Sequence, residues 1–217
     1  MAVKTSKIGV VRFLGTNCDE DVKKWVVSKS YEADYLWYED QFSVNDYDMV
    51  IIPGGFSHGD YLRCGALAAQ TPVMKSVREF AKKEKPLLGI CNGFQILCEA
   101  GLLPGVLLKN DSQRFKDEWT SLKMRQNKTA FSINTEIEQI IKLPIAHGEG
   151  KFYAAADTLK QLQDQEQIWL TYESNPNGSL LDIAGITNQK KNICGLMPHP
   201  ERALTDWMGS TDGMYFL

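Results

Sequence analysis

The stretch LLGICNGFQ at residues 87–95 decides the fold. Its first four residues, Leu87–Ile90, are apolar or small and predict a buried strand, and the residues after Cys91 predict a helix that ends at Gly101. The spacing G-x-C-x-G places a thiol between the two elements, as G-x-S-x-G does for a nucleophilic serine. We therefore predict a strand, a tight turn that projects Cys91, and a helix.

The turn around Cys91 also has the chemistry that a nucleophile requires. Gly89 and Gly93 lie two residues either side of the thiol, and their lack of side chains lets the strand and the helix approach each other. Unpaired N–H groups and the macrodipole at the start of the helix favour a thiolate, and the Asn92 N–H faces the same position. Free cysteines are more often buried and inert, so it is the sequence context of Cys91 that points to catalysis. For the other four cysteines we prefer the inert interpretation: Cys18, Cys64, Cys98 and Cys194.

Apolar strands alternate with helical patterns on both sides of this turn. The alternation predicts a parallel sheet covered by helices on both faces, in which ligands bind beyond the carboxyl ends of the strands. Between residues 106 and 153 the helical period fades, and the stretches 119–124 and 130–133 predict an antiparallel insertion or extension. The other predicted strands are 8–13, 33–38, 48–52, 168–172, 183–187 and 193–197, and the other predicted helices are 19–29, 66–83 and 157–165.

Length and composition limit the class of protein. The 217 residues suit a single α/β domain spanning 1–217. A net charge of -3, spread along the chain, disfavours a nucleic-acid partner. No apolar run approaches the roughly 20 residues that cross a bilayer, and we find no signal-peptide pattern, so we expect a cytoplasmic protein. The five cysteines and three histidines show no metal-ligand spacing, and no metal is expected.

A candidate base follows the last predicted strand in the sequence MPHPE, residues 197–201. The prolines at positions 198 and 200 favour extended geometry before them, which would place His199 and Glu201 on the same side of the chain. A carboxylate there would fix the imidazole tautomer and favour the imidazolium that forms when the thiol loses its proton. On its own the motif fits a polar loop histidine equally well, and Arg202 could pair with Glu201 and leave the histidine idle. Together with the thiol turn, the motif favours a triad with Cys91.

A glycine-rich turn after another predicted strand supplies candidate oxyanion donors. The sequence PGGF, residues 53–56, would by itself be interpreted as a strand-ending turn. Beside the thiol turn, its backbone N–H groups could hold the alkoxide that forms when a thiolate attacks a carboxamide. His147, within the glycine-flanked stretch AHGEG, is interpreted as a local hydrogen-bonding residue or an interface residue outside the triad.

The motifs IIPGG, GICNGFQ and MPHPE occur in that order, and the chain in this respect resembles the class I (triad) glutamine amidotransferase family. The similarity runs from near residue 12 to near residue 213, because RFLGTNCDED, PGGFSHGDYLRCGALAA, IAHGEGKF and GLMPHPERA also resemble this family. The resemblance implies a flavodoxin-like α/β fold, with a mostly parallel sheet, helices on both faces and a small antiparallel extension. It implies Cys91 as nucleophile with His199 and Glu201 as the other triad members. The implied oxyanion and substrate contacts are Gly54, Gly55, Phe56, Asn92 and Gln95.

The resemblance also implies a reaction and its partners. Glutamine would be hydrolysed to glutamate and ammonia through a thioester on Cys91, and the ammonia would pass to formylglycinamide ribonucleotide on a large synthase subunit in purine biosynthesis. That subunit would use ATP and magnesium, a small bridging subunit would be a further partner, and this chain would carry no cofactor. The sequence contains no G-x-x-x-x-G-K-[ST] phosphate loop, in agreement with ATP use on another chain.

Two other functions are open on the sequence alone. A stand-alone cysteine hydrolase of the same fold would share the thiol turn but would need no synthase. A non-catalytic thiol sensor or chaperone module would also expose a reactive thiol, although the neighbouring H-P-E motif supplies a base that a sensor does not need. Co-purification with a synthase would distinguish an amidotransferase subunit from a stand-alone hydrolase. Loss of glutamine-dependent synthesis on removing the Cys91 thiol would exclude the sensor or chaperone module.

Overall fold

A computed structural model describes residues 6–217, which form a nine-stranded sheet, a two-stranded sheet and four α-helices. The strands are β1 (Lys7–Arg12), β2 (Glu32–Trp37), β3 (Met49–Ile52), β4 (Leu87–Ile90), β5 (Val106–Leu108), β6 (Lys116–Met124), β7 (Ile140–His147), β8 (Lys151–Tyr153), β9 (Ile168–Tyr172), β10 (Ile183–Thr187) and β11 (Ile193–Leu196). The helices are α1 (Asp19–Ser28), α2 (Pro72–Lys82), α3 (Asn92–Glu99) and α4 (Ala156–Asp164). None of the helices in the described part is long and apolar enough to cross a membrane.

The large sheet has the strand order β2-β1-β3-β4-β11-β10-β9-β6-β7. The first five strands pair in parallel, and the remaining four continue the same sheet in antiparallel pairs. Every residue of β4, β10 and β11 is buried, as expected for strands covered on both faces. The parallel part has the 2-1-3-4-5 order of flavodoxin-like sheets. The predicted α/β fold with an antiparallel extension is therefore confirmed.

The direction of the crossovers fixes where a site can form. In the sheet, β2 lies on one side of β1, and β3 followed by β4 lies on the other side. Right-handed crossovers then place α1 and α2 on opposite faces of the sheet, and α3 packs against β3, β4 and β11. A crevice opens where the winding reverses, beyond the carboxyl ends of the central strands. The loops after β1, β3, β4 and β11 all lead into this crevice.

The helix predicted at 66–83 is wrong at its start, because α2 begins only at Pro72. The preceding residues close a separate 3-10 turn, Ala68–Gln70, in which the Thr71 N–H donates to the Ala68 carbonyl at 3.1 Å. Proline has no N–H to continue a helix but is favoured at its first position. The two elements therefore form one helical pattern in the sequence and two units in the fold.

The antiparallel extension also differs from the prediction in detail. Residues 130–133 form a turn and not a strand, since the Thr129 hydroxyl accepts the Phe131 N–H at 3.1 Å and competes with strand pairing. The strand β6 pairs with β9 on one side and on the other with β7, which contains Pro144 and was not predicted. Proline is tolerated there because β7 is the last strand of the sheet, where its missing N–H breaks no ladder.

Candidate active site

Cys91 lies directly after β4 with φ 51° and ψ -106°, a conformation that costs a non-glycine residue on the order of 1–3 kcal/mol. The flanking glycines make this turn possible. A Cβ added to Gly93 would lie 1.9 Å from the Ile52 carbonyl oxygen, and one added to Gly89 would lie 2.6 Å from the Gly93 carbonyl oxygen. The strand and the helix thus approach more closely than any side chain would allow. The predicted strand, tight turn and helix around Cys91 are confirmed.

His199 and Glu201 form a buried pair, with 2.6 Å between Nδ1 and Oε1. The backbone N–H of His199 donates to the Pro144 carbonyl of β7 at 2.9 Å, so the antiparallel extension holds the segment that carries the imidazole. Glu201 lies in a short 3-10 turn, Pro200–Arg202, that starts at a proline. The predicted pairing is therefore present, but the expectation that an extended segment creates it is wrong. The turn brings the carboxylate to the ring.

The hydrogen bond to Glu201 determines what His199 can do. A carboxylate accepts, so Nδ1 carries the hydrogen and Nε2 is left as the proton acceptor. That Nε2 atom is buried and has no hydrogen-bond partner within residues 6–217. Burial lowers the pKa of His199, but the negative charges of Glu201 and Cys91 outweigh it and raise the pKa well above its ordinary value of 6.5. The imidazole is thus suited to take a proton from Cys91 and to hold it.

Arg202 does not occupy the Glu201 carboxylate. Its Nη2 donates to the Cys18 sulfur at 3.1 Å, and its Nε lies 3.5 Å from Oδ2 of Asp21. The alternative in which Arg202 pairs with Glu201 and leaves the histidine idle is therefore wrong.

Gly54 is the point at which the groups of the site converge. A Cβ built on it would lie 2.8 Å from His199 Cε1, 3.1 Å from Cys18 Sγ and 3.4 Å from Cys91 Cβ. Real carbon atoms rarely approach other heavy atoms that closely, since optimal carbon contacts lie at about 3.5–4.0 Å. The missing side chain at position 54 therefore lets the thiol and the imidazole face each other.

A cavity of about 150 Å³ opens beside Cys91 and His199. At roughly 30 Å³ per water molecule, it has room for the end of a side chain such as a carboxamide. The residues lining it are Asn17, Cys18, Gly55, Phe56, Cys91, Phe115, Ala146, His199 and Arg202. The Ala146 carbonyl lies 3.7 Å from the Cys91 sulfur.

Cys18 is the residue of this cavity that the sequence interpretation missed. We interpreted it as an inert filler, but its buried sulfur lines the cavity and receives a hydrogen bond from Arg202. The signal that could have identified it is its position, because Cys18 lies in the loop after β1, at the edge of the sheet where Cys91 also lies. Phe115 was missed as well, and nothing in its sequence context indicates the site.

The backbone donors predicted for an oxyanion are only partly available. Within residues 6–217 the N–H groups of Gly55 and Asn92 donate to no protein acceptor. The Phe56 N–H is different, because it donates to the Gly15 carbonyl at 3.0 Å. Gly55 has φ 146° and packs against the loop at Thr16, where a Cβ would lie 2.7 Å from the Thr16 Cα. Phe56 thus contributes its half-exposed ring to the mouth of the cavity, where it lies 6.5 Å from the ring of Phe115.

Asn92 and Gln95 belong to a buried hydrogen-bond network behind the thiol. The Asn92 side chain accepts the Ser57 N–H at 3.1 Å and donates to Gln95 Oε1 at 2.8 Å. Gln95 Nε2 in turn donates to the Glu149 carbonyl at 2.6 Å. Both ends of the Gln95 amide are therefore used inside the protein, and Gln95 does not line the cavity. Its role as a glutamine contact stays a prediction.

His147 is held by a network of its own. The Asn110 side chain donates through Nδ2 to the His147 carbonyl at 2.9 Å. Its other atom, Oδ1, can only accept, so the hydrogen bond of 3.1 Å to His147 Nδ1 is donated by the imidazole N–H. Burial, together with the charge of His199, lowers the pKa of His147 to about 4. His147 is therefore a neutral, local hydrogen-bonding residue at pH 7, as the first of its two interpretations predicts.

A metal-type donor set is also found at this position. Cys18, His199 and Glu201 each place one potential ligand atom within 4.8 Å of the others. His199 Nδ1 and Glu201 Oε1 are hydrogen-bonded to each other at 2.6 Å. The arrangement as it stands is suited to proton transfer.

Comparisons with known proteins agree with this geometry. The family model described as the CobB/CobQ-like glutamine amidotransferase domain matches residues 5–213.

The chain is also similar to individual proteins. It is 50% identical over 212 residues to the phosphoribosylformylglycinamidine synthase subunit PurQ of Prochlorococcus marinus (strain MIT 9312), and the match covers 97% of this chain and 95% of that relative. The structure of PurLQS from Thermotoga maritima contains a similar chain, with a TM-score of 0.90, 39% identity and coverage of 97% of this chain and 95% of that one. A crystal structure of a glutamine amidotransferase from Thermotoga maritima shares the fold at 20% identity, with a TM-score of 0.61 and coverage of 93% and 78%. The chain thus belongs to the family of CobB/CobQ-like glutamine amidotransferase domains.

Proposed function

We propose that this chain hydrolyses glutamine and supplies the ammonia to phosphoribosylformylglycinamidine synthase. The observation that carries the proposal is the Cys91 thiol, held on a strained backbone turn, beside a cavity that His199 also lines. Behind the cavity, buried Glu201 holds the His199 imidazole through a 2.6 Å hydrogen bond. Nucleophile, base and orienting carboxylate in one place are what acyl transfer requires. The 50% identity to a PurQ subunit supports the choice of substrate.

In the first step, His199 Nε2 takes the proton of the Cys91 thiol and the thiolate attacks the glutamine carboxamide carbon. The alkoxide that develops is held by the N–H groups of Asn92 and Gly55, which have no other acceptor in the described part of the chain. Gly54 contributes by leaving space for the reacting groups. Phe56 bounds the cavity with its ring, and Gln95 fixes the side chain of Asn92.

In the second step, the imidazolium of His199 protonates the departing nitrogen, so ammonia leaves and a glutamyl thioester remains on Cys91. A water molecule, deprotonated by the same imidazole, then attacks the thioester and releases glutamate with the free thiol. Glu201 keeps its hydrogen bond to Nδ1 and stabilises the imidazolium in both halves of the reaction.

The ammonia is used on a partner. We infer a large synthase subunit that converts formylglycinamide ribonucleotide to formylglycinamidine ribonucleotide with ATP and magnesium, a small bridging subunit as a further partner, and a cytoplasmic location. The similarity to a chain of a PurLQS structure supports the assembly. Exposed apolar side chains at the cavity and in the loop that continues from Phe56 support it too, since such residues mark interaction sites. They are Phe56, Tyr61, Leu62 and Phe115, with Leu62 90% exposed.

The test is glutamate release by wild type, Cys91→Ala and Cys98→Ala, each with and without the candidate synthase subunit. Cys98 is the matched control because it lies on α3, the helix that follows Cys91, and does not line the cavity. We expect wild type and Cys98→Ala to hydrolyse glutamine, more rapidly with the partner, and Cys91→Ala to be inactive in both conditions. Glutamine turnover by a folded Cys91→Ala protein would refute the assignment of the nucleophile.

A further inference from the structure

A second sulfur lies beside the nucleophile. A Cβ built on Gly54 would touch Cys18 Sγ on one side and Cys91 Cβ on the other, so no more than one methyl-sized space separates them. Residue 54 adds no side chain to that space because it is glycine, and His199 Cε1 borders the space at 2.8 Å. Both cysteines line the same cavity, which leaves room for their side chains to rotate.

The backbone holds the two cysteines in place. The Cys18 N–H donates to the Gly54 carbonyl at 3.3 Å, and the Cys91 N–H donates to the Leu196 carbonyl at 2.8 Å. A disulfide requires two Cβ atoms about 3.5–4.5 Å apart. Rotation about the two Cα–Cβ bonds turns the sulfurs toward each other but leaves the Cβ atoms in place. The bond therefore also requires the loop that carries Cys18 to move toward Cys91 across the space at Gly54.

The charges around Cys18 favour its participation in thiol chemistry. Burial, with the charge of Glu201, raises the pKa of the Cys18 thiol above its ordinary value, and the neighbouring His199 and Arg202 offset only part of that rise. Arg202 donates a hydrogen bond to the Cys18 sulfur, and His199 is a base beside it. A thiolate can therefore form at Cys18 when His199 takes its proton. The remaining cysteines lack this setting, because Cys64, Cys98 and Cys194 lie outside the cavity.

We propose that Cys18 and Cys91 form a reversible modification site, in which Cys18 resolves the oxidised form of Cys91 as an intramolecular disulfide. The oxidant is a hydroperoxide, whose terminal oxygen the Cys91 thiolate attacks. The O–O bond breaks, Cys91 becomes a sulfenic acid, and the other oxygen leaves and is protonated to water or an alcohol.

In the second half, the Cys18 thiolate attacks the Cys91 sulfur, so the S–S bond forms and the S–O bond breaks. Hydroxide leaves and takes the proton that His199 received from Cys18, which gives water. The two electrons lost by the thiols are those gained by the peroxide. A dithiol reductant reverses the modification, and the disulfide protects Cys91 from irreversible oxidation to the sulfinic acid.

This inference rests on the reactivity of Cys91 assigned under the proposed function, but its readout is a bond and not glutamine turnover. Wild type, Cys18→Ser, Cys18→Ala and Cys98→Ser would be treated with hydrogen peroxide, digested without reduction and analysed by mass spectrometry. In wild type and Cys98→Ser we expect a peptide pair joining residues 18 and 91 that has lost two hydrogen atoms. In the two Cys18 variants we expect sulfinic acid at Cys91.

Activity after reduction gives a second readout. Each protein, assembled with the synthase subunit, is compared with its own untreated activity after dithiothreitol, and we expect the Cys18 variants to recover about tenfold less than wild type. Absence of the joined peptide in peroxide-treated wild type overturns the inference, as does equal recovery in the Cys18 variants. Wild type that hydrolyses glutamine without forming the disulfide overturns only this inference. The joined peptide in a protein without glutaminase activity overturns only the proposed function.

Discussion

Replacing Gly54 by alanine tests whether the convergence of groups at this position creates the active site. The added methyl carbon would lie 2.8 Å from His199 Cε1, 3.1 Å from Cys18 Sγ and 3.4 Å from Cys91 Cβ. Gly54 does not have a positive φ, so its backbone accepts alanine. The substitution therefore acts through contacts and not through backbone strain.

The structure gives the size of the effect. Carbon contacts are optimal at about 3.5–4.0 Å, so the imidazole has to move by roughly 0.7 Å or the loop carrying residue 54 has to withdraw. The ring has little freedom, because it is 2% exposed and held by the Glu201 hydrogen bond. A displacement of about 1 Å costs on the order of 100-fold in rate, which corresponds to about 2.7 kcal/mol of activation free energy. We expect overpacking to cost about 1–3 kcal/mol of unfolding free energy as well.

The assay is steady-state glutamine hydrolysis by the assembled complex, with thermal unfolding to establish that the variant is folded. Gly148→Ala is the matched control, because its added carbon would meet only Phe115 Cδ2 at an ordinary 3.8 Å. We expect kcat to fall about 100-fold in Gly54→Ala and by no more than about threefold in Gly148→Ala. A folded Gly54→Ala protein with wild-type kcat would refute the assigned contact between the imidazole and the thiol.

Three further predictions follow from the same structure. Glu201→Gln should lower kcat about 100-fold with little change in KM, because a charge-assisted hydrogen bond is worth up to about 3 kcal/mol; an unchanged kcat contradicts this role. Burial lowers the pKa of His147 to about 4. Between pH 6.5 and 4 the unfolded chain therefore binds a proton at His147 that the folded chain does not bind. The free energy of unfolding should fall by about 3 kcal/mol over this range. His147→Asn keeps a donor for Asn110 and should remove most of that loss in denaturant unfolding at the two pH values, whereas an equal loss in both proteins would exclude the effect. Leu62→Glu should weaken binding of the synthase subunit about tenfold in titration calorimetry. Ile133 is exposed at the far end of the antiparallel extension, so the control Ile133→Glu should bind the subunit as wild type does. Equal affinities of the two variants would place the interface elsewhere.

The parts of the site that the sequence predicts are those that local chemistry determines. The turn at Cys91 depends on glycines two residues away and on an adjoining apolar strand, all within nine residues. His199 and Glu201 are two residues apart, so their pairing was predictable even though a turn creates it and not an extended segment. The catalytic roles of these residues stay predictions until the variants are measured.

The parts that the sequence did not predict depend on contacts between distant segments. Cys18 lies in the cavity because the loop after β1 meets Gly54 and Arg202 there. The strand β7 contains a proline, which argues against a central strand, and only its place at the sheet edge explains it. That same strand holds the backbone of His199, so the missed element is the one that positions the base.

The most direct test of the central claim compares two nitrogen sources in the assembled synthase. Formation of formylglycinamidine ribonucleotide is measured for wild type and Cys91→Ala with glutamine and, separately, with ammonium. We expect Cys91→Ala to lose the glutamine-dependent rate to background while its ammonium-dependent rate stays within about twofold of wild type, since the thiol is required only to release ammonia. Glutamine-dependent synthesis that persists without the Cys91 thiol would contradict this expectation.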